Sequence, residues 1–111
     1  MDKVLKMHVH KQNMYMKIHK SAKGTILALC DKDLIGMVLE DKNRYIDLDK
    51  YRSFYIGELV TKDQVKKSVT SFSSANVVGN KSVELMIELE LVHPDEVVYI
   101  KKVPFVQIYK I

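Results

Sequence analysis

Ser74-Ala75-Asn76-Val77-Val78-Gly79-Asn80-Lys81-Ser82-Val83-Glu84-Leu85 is the stretch on which the fold turns. It reads as a polar turn feeding directly into an amphipathic helix, because Asn76, Gly79 and Asn80 tolerate left-handed or capping backbone angles. Over residues 81–91, Val83, Met86, Ile87 and Leu91 recur at helical spacing and give one apolar face. A helix start carries unpaired backbone N–H groups, so Asn80, Lys81 and Ser82 are candidates to hold an anion such as phosphate. Glu84 and Glu88 fall one turn apart on the polar side with no histidine close in sequence, which reads as a solvated acidic face.

Upstream, Thr61-Lys62-Asp63-Gln64 has the spacing of a capping box, with Thr61 as N-cap and Gln64 reaching back. Val65, Val69 and Phe72 follow at i, i+4 and i+7, so the spacing predicts a helix of about three turns with Phe72 in the core. Downstream, Pro94 ends the second helix at a Val92-His93-Pro94-Asp95 turn. Residues 97–100 and 105–111 read as closing strands joined through Lys101-Lys102-Val103-Pro104.

The first half is strand-rich. Residues 15–19 alternate, with Met16 and Ile18 on one face and Tyr15, Lys17 and His19 on the other. Residues 25–30 form an apolar run, and Gly24 closes a hairpin between the two. A second hairpin brackets Asp41-Lys42-Asn43, with Ile46 and Leu48 inward and Tyr45 and Asp47 outward. Phe54-Tyr55-Ile56 reads as a short strand or docked loop. Strands, two helices, then strands is the order of an α+β domain, a mostly antiparallel sheet with two helices packed on one face. It spans residues 14–111, and residues 1–13 are a basic extension that stays loose until a partner orders it.

With 111 residues, 47% of them hydrophobic and 29% charged, the chain has the size and composition of one soluble globular domain. Its longest apolar run, residues 26–30, is far short of a membrane span, and the N-terminus lacks the apolar block of a secretory signal. The single Cys30 excludes an internal disulfide, fits a reducing cytoplasm and reads as a packing residue. Lys3, Lys6, Lys11, Lys17, Lys20 and Lys23 face only Asp2 in the first 23 residues, a net +5 against −1 for the rest, so the excess positive charge resides there. Such an arm suits phosphate backbones.

No nucleotide-binding loop, zinc-protease motif or C-x-x-C occurs. His8 and His10 alternate but lack a third ligand, so neither a metal nor a cofactor is expected. The expectation is an RNA- or ribosome-associated protein. Its contacts would be Lys3, Lys6, Lys11, Lys17, His19, Lys20 and Lys23, the helix start Asn80-Lys81-Ser82, and Lys101 and Lys102. An alternative is a protein-interaction module offering an edge strand anchored by Tyr99, Phe105 and Tyr109. A second alternative is a small enzyme that gathers Asn76, Lys81, His93 and an acidic partner.

Several blocks carry a family likeness: Met14-Tyr15-Met16-Lys17-Ile18-His19-Lys20-Ser21, Gly57-Glu58-Leu59-Val60, and the Ser74 to Leu85 stretch already quoted. His93-Pro94-Asp95, Val103-Pro104 and Gln107-Ile108 extend it. Over residues 14–111 the chain resembles an archaeal family known as domain of unknown function 424. The resemblance implies a small cytoplasmic α+β protein without an assigned reaction. It also implies glycines before the Val-Pro element, where this chain has Lys101 and Lys102, and a more polar residue at Phe105.

Overall fold

Met14–Ser21 (β1) and Gly24–Asp31 (β2) form the expected hairpin, paired from Met14 opposite Asp31 to Ser21 opposite Gly24. The computed structural model describes residues 12–69 and 71–110, so the arm lysines Lys3, Lys6 and Lys11 and the pair His8 and His10 lie outside the described residues. A small hairpin, Val38–Glu40 (β3) and Tyr45–Asp47 (β4), follows, then one helical turn at Arg52–Tyr55 (α1). Glu58–Val60 (β5) returns to the outer side of β1. Lys62–Ser68 (α2) begins at the capping box: Thr61 Oγ1 accepts from Gln64 N at 3.2 Å, and Thr61 N donates to Gln64 Oε1 at 2.8 Å.

The opening stretch divides differently from its sequence reading. Ser74–Val78 is a strand (β6), and the helix Asn80–Glu88 (α3) starts only after Gly79. Serine, alanine and asparagine have weak strand preference, so nothing local marks β6. Long-range pairing makes it: β6 runs parallel to β2, with Ile26 opposite Ser74, and antiparallel to the last strand, with Asn76 opposite Gln107. Val98–Ile100 (β7) and Val103–Tyr109 (β8) complete a six-stranded sheet in the order β5-β1-β2-β6-β8-β7. All its pairings except β2–β6 are antiparallel.

The strand period separates two faces. Met14, Met16, Leu27, Leu29, Ala75, Val77, Val106 and Ile108 point to one side and bury Val65, Phe72, Val83, Leu85 and Met86 of the helical layer. Each such large side chain contributes about 1.5–3 kcal/mol of transfer free energy. Phe72 lies in this core as expected, although α2 stops at Ser68, four residues short of it. Glu88 is not simply solvated: Lys66 Nζ lies 3.0 Å and Lys62 Nζ 3.4 Å from its carboxylate, tying α2 to α3. On the opposite face, Cys30 and Val78 pack with Leu48, Ile46, Tyr55 and Phe105 beneath α1 and the small hairpin. The helices α2 and α3 thus share one face of an α+β sheet, and α1 turns the other face into a partly roofed groove.

Candidate nucleic-acid interface

The floor of the groove follows from register. Asn76 and Gln107 stand opposite each other on β6 and β8, so their side chains emerge together on the face away from α2 and α3. Gln107 Nε2 donates to Asn76 Oδ1 at 3.0 Å. Among the described residues the Asn76 amide nitrogen and the Gln107 side-chain carbonyl oxygen make no further bond, which sets a donor and an acceptor side by side. Phe105 and Val78 continue the floor, while β4, α1 and the turn between them supply Tyr45, Leu48, Tyr51, Phe54 and Tyr55 as walls around a cavity of about 460 Å³.

The walls are fixed by side-chain pegs. Lys17 Nζ donates to Ser53 O at 2.8 Å. His19 Nε2 lies 2.9 Å from Phe54 O, and since a carbonyl only accepts, this nitrogen carries the proton. The His19 ring also stacks on Phe54, centroids 4.4 Å apart, and Phe54 meets Tyr55 edge-on at 5.0 Å. On β4, Asp47 Oδ1 accepts from Asp49 N and Lys50 N, and Tyr45 OH donates to Asp47 Oδ2 at 3.0 Å. The Lys50 amide chiefly holds the Asp47 carboxyl below its usual range, and the bond to Asp47 raises the Tyr45 phenol. Tyr45 is therefore a neutral ring at the lip, 59% exposed, with Tyr51 54% exposed beside it and Lys50 Nζ 5.5 Å from the Tyr51 ring centre.

The residues singled out from sequence are not brought together. Lys17 and His19 brace α1 and are not free phosphate contacts. Lys20 and Lys23 lie at the β1–β2 turn, whereas Lys81, Lys101 and Lys102 lie at the opposite end of the sheet, a strand of eight residues or roughly 25 Å away. The start of α3 is already occupied: Asp31, 4% exposed, accepts from Lys81 N at 3.0 Å, Ser82 N at 2.8 Å and Ser82 Oγ at 2.7 Å. The anion at that helix start is the chain's own carboxylate, and Ser82 is fully buried against it, which corrects the expectation of an open phosphate seat at Asn80, Lys81 and Ser82. Gly79 makes room, with φ +109° and a position where a Cβ would fall 2.6 Å from both Asp31 oxygens.

The enzyme constellation is dispersed as well. Asn76 faces the groove, Lys81 opens α3, and His93 follows its far end, where it caps the turn Pro94–Glu96. Cys30 is wholly buried, and desolvation pushes its thiol up to about 12, so it is not a poised nucleophile. Phe105 lies in the groove on a strand paired at both sides of that residue, so it is not an edge anchor. The groove residues Tyr45, Tyr51, Phe54, Tyr55 and Gln107 were not foreseen as a site. A usable signal was present: four of the nine aromatic residues fall within residues 45–55.

No helix among the described residues is long and apolar enough to cross a membrane. No curated protein matches the chain. The crystal structure of an uncharacterized conserved protein from Methanopyrus kandleri is similar, with a TM-score of 0.72 and 27% identity over 86% of this chain and 90% of that one. The model of the family described as protein of unknown function DUF424 matches residues 18–111, and the chain belongs to that family.

Proposed function

We propose that the protein is a cytoplasmic RNA-binding module, working on RNA or a ribosomal subunit, that seats unpaired bases in the groove over β6 and β8. The groove itself carries this reading. Exposed aromatic rings beside a cation, above a floor offering one amide donor and one acceptor, match what unstacked bases need: a ring to stack on and a partner for the base edge. The arm lysines Lys3, Lys6 and Lys11 supply phosphate neutralisation that base contacts do not. Lys20, Lys23, Lys81, Lys101 and Lys102 extend positive charge to both ends of the sheet.

The test is fluorescence anisotropy with short single-stranded RNAs of each homopolymer and a duplex of equal length, at rising salt. Single strands should bind more tightly than the duplex, and affinity should fall as salt increases. Tyr51→Ala and Asn76→Ala should each weaken binding by about 5- to 100-fold, the range of one base contact. No binding at low salt, or unchanged affinity in both variants, would overturn the reading.

A further inference from the structure

The strand β8 is longer than its outer neighbour. β7 pairs with it only from Val103 to Phe105. The bonds Gly79 N to Pro104 O and Lys110 N to Ser73 O set the phase of the ladder to β6. In an antiparallel ladder alternate residues address opposite sides. Residues 104, 106, 108 and 110 therefore point their backbone groups at β6, and Gln107 and Tyr109 point theirs away. Among the described residues neither Gln107 nor Tyr109 has a backbone partner on that side. The chain before β7 leaves the edge instead of continuing along it: Val97 packs into the helical core, and Glu96 N is bonded to His93 O.

The two sheet edges are defended unequally. Beyond its pairing with β5 at Met16, β1 is braced by α1 through Lys17 and His19 and then carries Lys20, the charge usual on a protected edge. The uncovered part of β8 carries Gln107 and Tyr109, with Tyr109 69% exposed. The one lysine nearby, Lys110, is drawn off to the Phe72 ring, its Nζ 4.1 Å from the centroid. An uncharged, unbulged edge with free groups at alternate residues is complementary to an antiparallel copy of itself.

We propose that two copies of this chain pair through β8, antiparallel across a two-fold axis at Ile108, so that Gln107 of each copy faces Tyr109 of the other and one continuous sheet results. Outward N–H and C=O groups of each copy then bond to those of the other, as a closed two-fold contact requires. The contact does not depend on RNA, and its test is made on nucleic-acid-free protein.

Sedimentation velocity over about a hundredfold concentration range should show the 12.9 kDa chain shifting towards twice that mass, with little response to salt because backbone pairing is uncharged. Tyr109→Pro removes one outward N–H and no bond to β6, so the variant should remain monomeric with unchanged circular dichroism. Tyr109→Lys, which puts two charges close beside the axis and keeps the backbone intact, should do the same. In the unsubstituted protein, hydrogen exchange at the Tyr109 amide should slow at least tenfold from low to high concentration. A monomer throughout, a dimer that persists in Tyr109→Lys, or a Tyr109 amide indifferent to concentration would each overturn the proposal.

Discussion

Asp31 joins strand to helix with three hydrogen bonds from one carboxylate, across 51 residues of sequence in the case of Ser82. Charge-assisted bonds to a buried group are among the stronger single contacts, and a negative charge also suits a helix start. Asp31→Asn keeps the shape but turns an N–H₂ group towards donors, so it should cost about 2–4 kcal/mol. Ser82→Ala, which removes one donor and leaves both amide bonds, should cost about 1 kcal/mol. Urea unfolding midpoints compare the two, and equal losses would show that the carboxylate is not the centre of the latch. The sequence names Asp31 only as the residue after an apolar strand. Its acceptors' partners are 50 residues away, and no local pattern encodes such a distance.

At the scale of elements, legibility followed locality. The two hairpins, the capping box at Thr61 and the closing pair of strands are all set by neighbours in sequence, and each occurs where spacing places it. The strand β6 was hidden because its residues favour turns and its partners are remote. In sequence α1 reads as a strand or docked loop because its apolar run is three residues, too short to show a period, and the pegs from Lys17 and His19 fix it. The β7–β8 turn is a place where glycine would relieve the backbone. Lys101 and Lys102 have φ of 49° and 69°, two left-handed residues in succession in a two-residue hairpin turn. A side chain pays roughly 1 kcal/mol for that conformation and glycine does not. Lys102→Gly should therefore raise stability by about 0.5–1 kcal/mol in thermal unfolding, and a loss would mean that the lysine makes a compensating contact.

For the whole molecule, charge and shape divide the proposed work. The groove holds the rings, and the surplus of lysine lies in the first 23 residues, so affinity and selectivity should separate on truncation. Deleting residues 1–11 removes Lys3, Lys6 and Lys11, and the log–log salt slope of single-strand binding should fall by about 2, at roughly 0.7 per phosphate contact. The preference among bases should stay as it was. An unchanged slope would take the arm out of the interface. The sequence displayed this charge plainly, but it could not display the groove, whose floor and walls come from three separated stretches, 45–55, 76–78 and 105–107. The parallel contact of β2 with β6 has one more consequence, in time. Ile26 meets Ser74, 48 residues on, and β8 reaches the rest of the sheet only through β6. Closing so long a loop before any contact rewards it makes folding slow, and during synthesis the β2 edge of the hairpin stays bare until residues 74–78 have been made. A nascent chain of this protein is thus most exposed to mispairing just before β6 arrives.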